Sequence, residues 1–174
     1  MDYSLRATFT NISRTYFHHG TVGNCQYCFW GRYSMGSPYY GATAAVALMA
    51  GASHLTALDT GSSNYAAYAT FDPSGNPLRV LLYNSDYYSG SGSRGSTSFT
   101  LTGLTATSVK AKRLTAPSAL SRQDQGGDIR FGGQYFNNGT CTIGGTESIE
   151  STDVSGGQAT FTLKATEALL VYLQ

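Results

Sequence analysis

Residues 78–84 read LRVLLYN. Side chains of a strand alternate between its two faces, and here apolar residues fall on both: Val80 and Leu82 on one, Leu81 and Tyr83 on the other. A strand with one wet face alternates apolar with polar, so this one requires cover on both sides. Residues 168–173, ALLVYL, repeat the pattern near the carboxy end. One cover is expected to be a second β layer and the other a helical layer, or whatever that layer packs on. Around these two strands, the β-branched and aromatic runs predict further strands at 54–59, 64–71, 96–101, 108–114, 140–143, 148–154 and 158–163. Asp72-Pro73-Ser74-Gly75-Asn76 and Ser155-Gly156-Gly157 carry hairpin-turn chemistry. Short strands at this spacing predict a mainly β fold, an antiparallel β-sandwich over residues 53–174. Residues 89–98, SGSGSRGSTS, predict a loop with little reason to order. Residues 120–133, LSRQDQGGDIRFGG, predict a long connection.

Upstream the text changes. Residues 15–51 read TYFHHGTVGNCQYCFWGRYSMGSPYYGATAAVALMAG. Residues 2–10 predict a helix end, with Asp2 available to cap and Leu5 and Phe9 on one face. Residues 12–19 predict a strand, 20–36 a loop crowded with Cys and aromatic residues, and 37–51 a helix. For that helix Ser37 is the expected N-cap, Pro38 fits the first turn, and Gly51 fits a left-handed stop. No Asp, Glu, Lys or Arg occurs between Arg32 and Asp59. With Ala44, Val46, Leu48 and Met49 pointing different ways, the helix needs partners around its whole girth, more than the strand before it supplies.

The chain has 174 residues, 12% of them charged and 13% aromatic, with a formal net charge of +1. A balance this neutral gives no concentrated basic face, so neither nucleic acid nor an anionic membrane is an expected partner. Lys110, Lys112 and Arg113 form the one tight basic cluster, read as a solvated sheet face. The most apolar run, 42–52, is too short to span a bilayer. The amino terminus carries no signal-peptide pattern, which by itself predicts a cytoplasmic chain if it starts at Met1. Two N-glycosylation triplets point towards export instead, at Asn11 and Asn138.

Taken together, YFHHGTVGNCQYCFWGRYSMGSPYYG, LRVLLYNSDYY, AKRLTAPSAL and EALLVYL resemble the carboxy-terminal portion of fungal family 79 glycoside hydrolases of the β-glucuronidase type. The resemblance covers nearly the whole chain. It implies a (β/α)8 barrel followed by a β-sandwich, of which this chain matches the end: residues 1–52 as the last barrel βα unit, residues 53–174 as the sandwich. It also implies an extracellular family. Retaining hydrolases of this type need two carboxylates about 5 Å apart on barrel strands. The family places them on strands before the eighth, the acid/base in an Asn-Glu pair. Here no Glu precedes Glu147 and no Asn-Glu pair occurs. No catalytic residue is carried over, and Glu147, Glu150 and Glu167 fall in the sandwich.

The reading that follows is a non-catalytic carboxy-terminal β domain, structural or accessory to a barrel. The alternative is a stand-alone carbohydrate-binding module, with Tyr87 and Tyr88 after Asp86 as its platform. Because loops at the carboxy end of barrel strands face the active site, the resemblance implies that His19, Gly20, Tyr27, Trp30 and Arg32 line the sugar pocket of an intact enzyme, Trp30 stacking and Arg32 pairing a uronate carboxylate. His18, His19, Cys25 and Cys28 have metal-ligand residue types, but a second ligand knuckle is missing, so no metal and no cofactor is expected. Cys25 and Cys28 could pair as a disulfide; one of them bonded to Cys141, and unpaired thiols, are the alternatives. Expected partners are the barrel, glycans, or a second copy meeting the apolar helix.

Overall fold

The computed structural model describes residues 1–17, 28–31 and 35–174. Helices α1 (Asp2–Phe9) and α2 (Ser37–Met49) precede eleven strands. These are β1 (His54–Ala57), β2 (Tyr65–Phe71), β3 (Pro77–Asn84), β4 (Ser96–Thr102), β5 (Ser108–Thr115), β6 (Arg130–Phe131), β7 (Tyr135–Phe136), β8 (Ile143–Gly144), β9 (Glu150–Asp153), β10 (Gln158–Lys164) and β11 (Glu167–Tyr172). Seven of them form one antiparallel sheet in the order β1-β2-β3-β11-β5-β6, with β9 also paired to β5. The two doubly apolar strands, β3 and β11, lie side by side at its centre, Leu81 opposite Leu170 and Leu82 opposite Leu169.

Both faces of that centre are covered. On one, Val80, Leu82, Leu169 and Val171 meet Ala159, Phe161 and Leu163 of β10, which pairs with β4 as a two-stranded second layer. On the other, Leu81, Ala168, Leu170 and Tyr68 meet Leu5 of α1 and Leu48 of α2. The sandwich is therefore asymmetric: a two-stranded lid on one side, two helices on the other. Among the described residues no helix is long and apolar enough to cross a membrane.

Several local expectations are corrected. Residues 12–17 form no strand, and the rest of the expected strand, His18 and His19, lies outside the described residues. A barrel strand exists by its ladder to two neighbours, and none is available here. The segment instead runs back along α1: Thr15 Oγ1 donates to Ser4 Oγ at 3.3 Å and the Phe17 ring stands edge-on to Tyr3. Asp2 does not cap α1; its carboxylate accepts the Tyr68 hydroxyl and pairs with Arg6. Ser37 does not cap α2. Gly36 takes the cap position, and the Ser37 hydroxyl donates to Ser121 O at 2.9 Å. A Cβ on Gly36 would stand 1.8 Å from the Cys28 carbonyl oxygen, so the chain crosses itself where no side chain fits. α2 stops at Met49 rather than 51, Ala50 leaves it extended, and Gly51 follows at positive φ (+72) in a turn closed by the Ala52 N–H donating to Met49 O at 3.0 Å.

Of the strand expected at 140–143, only Ile143 lies in an arm of a hairpin, β7–β8; residues 140–142 belong to its turn, which occupies 137–142. Positive φ at Gly139 and Cys141 breaks the extended run there. The Ser/Gly loop before β4 is pinned rather than free: Arg94 donates twice to Ala165 O, at 2.9 and 2.7 Å, and lies over the Tyr88 ring.

Candidate functional site

The helical layer is where the chain's unusual sequence collects. On α2, Tyr40, Ala44 and Leu48 recur every fourth residue and are buried against the sheet. The turn of helix between them faces outward, and Val46 is 70% exposed. Ala42, Ala45 and Val46 of α2, with Met1, Phe17 and Phe29, line a cavity of about 600 Å³. Among the described residues no charged side chain lines it. The described part of the Cys/aromatic loop stands at its rim, with Phe29 edge-on to Phe17 at 5.5 Å, Trp30 bridged to Met35, and Trp30 51% exposed.

Ion pairs fasten this layer to the sheet. Arg6 of α1 pairs with Asp59, which also accepts the amides of Ala67 and Gly61, both at 2.8 Å. Burial alone would raise the Asp59 pKa; the Ala67 amide, the Arg6 guanidinium and the Gly61 amide together outweigh it and hold it below the ordinary value. Burial first, then the hydrogen bond to the Asp2 carboxylate, pushes the Tyr68 phenol well up, so it donates at any physiological pH. Tyr40, raised chiefly by burial, accepts the Phe136 amide at 2.9 Å and so ties α2 to the β7–β8 hairpin.

Of the sequence-predicted pocket residues, Trp30 is described; His19, Gly20, Tyr27 and Arg32 lie outside the described residues, as does Cys25. Cys28 is disulfide-bonded, and Cys141 is a free, exposed thiol. Among the described residues no group of three or more His, Cys, Asp or Glu is placed to hold a metal ion. The three glutamates are committed to cations: Glu147 to Lys112, Glu150 to Arg113 through both oxygens, and Glu167 to Arg113 at 2.8 Å. The Glu150 carboxylate raises the Arg113 pKa further. Asp86 accepts Asn64 and Tyr65, and Tyr87 and Tyr88 do not make a shared platform: Tyr87 is exposed while Tyr88 lies under Arg94. Sequence reasoning missed Gly36, whose close approach leaves no composition signal, and Arg94, which sits inside a Ser/Gly run.

An apolar helical layer thus covers the outer face of a two-layer β fold. The family model for the glycosyl hydrolase family 79 C-terminal beta domain matches residues 65–170, and the chain belongs to that family. A crystal structure of a 4-O-α-L-rhamnosyl-β-D-glucuronidase from Fusarium oxysporum 12S, in complex with Rha-GlcA, is 56% identical with a TM-score of 0.94. The match covers 99% of this chain and 37% of that enzyme, so the chain spans well under half its length. A bifunctional glucanase-xylanase from a metagenome library aligns over 62% of this chain and 15% of its own at 20% identity and a TM-score of 0.35, too low to carry weight. Comparison with curated proteins returns no match.

Proposed function

We propose that this chain acts as the non-catalytic, bracing part of a glucuronidase-type glycoside hydrolase, packing against a (β/α)8 barrel through α1, α2 and the segment around Trp30. The observation that carries this reading is the largely apolar cavity of about 600 Å³ on the outer side of α2, lined by no charged side chain among the described residues, beside a 70% exposed Val46. An apolar surface of that kind is unfavourable in water and marks an interaction site. The extent of the alignment supports the same reading, because the similar Fusarium enzyme continues well beyond the aligned region. In the assembled enzyme Trp30, with His19, Gly20, Tyr27 and Arg32, contributes to the rim of a uronate-binding pocket. The acid and nucleophile come from the barrel, since the glutamates described here are neutralised by structural cations.

The test is complementation. The barrel portion of the Fusarium enzyme is expressed without its aligned region, alone and together with this chain, and the products are assayed on a rhamnosyl-glucuronide. We expect a stoichiometric complex, activity with both parts, and no release of p-nitrophenol from a β-glucuronide by this chain alone. Turnover by the pure chain, or failure to associate with a folded barrel, overturns the proposal. Retention of the chain on a polysaccharide column, lost in Tyr87→Ala, would favour the carbohydrate-binding alternative.

A further inference from the structure

The chain carries two Asn-X-Ser/Thr triplets, Asn11-Ile12-Ser13 and Asn138-Gly139-Thr140, and the fold treats them differently. Asn11 ends α1. Its φ is +59, its N–H bonds to Thr8 O at 3.3 Å, and the next N–H, of Ile12, reaches back to Ala7 O at 3.2 Å. That pair of bonds is the Schellman closure of a helix, and Asn is the residue after Gly that best tolerates its left-handed position. The helix stop accounts for Asn11 without any modification. Asn11 also belongs to the layer proposed to meet the barrel.

Asn138 has no such duty. The hairpin turn is closed by its neighbour: Asn137 N donates to Thr142 O at 2.8 Å, Cys141 N to Asn137 O at 2.8 Å, and Asn137 Nδ2 to Thr142 O at 3.2 Å. The Asn138 side chain makes no hydrogen bond among the described residues. It is exposed at the tip, and residue 139 is a glycine at φ +88 with open space where a Cβ would be. The hairpin is anchored from below by Phe136, edge-on to the rings of Tyr39 and Tyr40 at 5.1 and 5.2 Å. None of its residues lines the apolar cavity on α2. A bulky polar group at the tip therefore disturbs neither the core nor the proposed docking face. The same hairpin carries the 64% exposed Ile143 and the exposed thiol of Cys141, two groups that a solvated surface ordinarily avoids.

We propose that Asn138 is an N-glycan acceptor and that Asn11 is not. The donor is an oligosaccharide on a lipid diphosphate. The Asn138 Nδ2–carbon bond forms at the anomeric centre, the anomeric C–O bond breaks, the lipid diphosphate leaves with the electron pair, and the amide proton passes to the transferase. The assignment rests on passage through a secretory route, and the choice between the two sites rests in part on the proposed docking face.

To separate modification from export, the full chain is placed behind a yeast secretion leader and only protein recovered from the medium is analysed. Intact mass is read before and after peptide N-glycosidase, and peptide mapping locates the converted residue. The expected result is one glycan, at Asn138, lost completely in Asn138→Gln and in Thr140→Ala but kept in Thr140→Ser and in Asn11→Gln. A secreted wild-type chain of unmodified mass overturns the proposal, as does a glycan that survives Asn138→Gln or one found at Asn11.

Discussion

The two faces of the central sheet are built from the same strands yet sealed in different ways. On the β4/β10 side the core ends in a dense ionic cluster. Glu167, only 6% exposed, accepts Arg113 at 2.8 Å, Thr115 Oγ1 at 3.2 Å and the Lys164 amide at 3.0 Å, while Arg113 also grips Glu150 and the Thr162 carbonyl. On the helical side the seal is looser. Arg6 is 30% exposed and Asp59 17%, and the layer they hold has an apolar cavity and an exposed Val46 on its far side. The first face is closed around one buried carboxylate, Glu167, held from several sides; the second is tied by the ion pair of Arg6 with Asp59. On the proposed reading the first belongs to the folding of this domain and the second to its assembly.

The strongest way to break the comparison is Arg113→Ala. It leaves Glu167 in the interior with only the more distant Arg94, at 3.9 Å, as its cation, and loss of the closer partner of a buried pair costs up to about 3–5 kcal/mol. Urea unfolding should show that loss as a shift of the whole transition. A cost under about 1 kcal/mol would mean that the cluster is as loose as the helical side.

Next come two adjacent leucines of β11, both fully buried and pointing to opposite faces. Leu169→Ala opens the β core and should cost about 2–5 kcal/mol, destabilising all strands together. Leu170→Ala removes the contact under α1 and α2. Hydrogen exchange should then show both helices losing protection before the sheet does. Equal loss everywhere in both variants would make the helical layer an integral part of one core.

How much of this was legible beforehand follows from the same contrast. The double apolar pattern of 78–84 and 168–173 revealed the centre of the sheet, because covering two faces leaves a mark on every residue of a strand. The stop near Gly51 was legible because the end of a helix has local chemistry. The strand expected at 12–19 was not, since Ile12, Thr15 and Phe17 favour extended backbone but a strand also needs a ladder partner, which local sequence cannot supply. Residues 140–143 misled for a related reason. Thr140, Thr142 and Ile143 look like a strand, while the turn depends on left-handed backbone at Gly139 and Cys141, a conformation that Cys rarely announces. Of the candidate pocket residues only Trp30 is described, and its exposed position, bridged to Met35 and next to the cavity-lining Phe29, required the fold.

A smaller effect tests the electrostatic tie of the helical side. Asp59 has its pKa held below the ordinary carboxylate value in the folded chain. Its contribution is therefore complete above that value and is lost as pH falls through the lower folded pKa. Arg6→Ala should cost about 1 kcal/mol at neutral pH, the scale of a partly exposed pair, and should flatten the loss of α1 protection on acidification. An unchanged acid profile in the variant would assign that sensitivity to another carboxylate.

The smallest expected change is the most informative about assembly. Val46 is 70% exposed and packs on little within this chain, so Val46→Asp should alter the stability of the isolated domain by no more than about 0.5 kcal/mol. Placed against a barrel, the same carboxylate would lose water, and among the described residues no cationic side chain lines the cavity beside it. Binding to the separately expressed barrel should therefore weaken at least tenfold while the melting curve of the free domain stays in place. A variant that binds as tightly as the original would move the docking surface off α2, whereas one that unfolds alone would show that Val46 already belongs to the core.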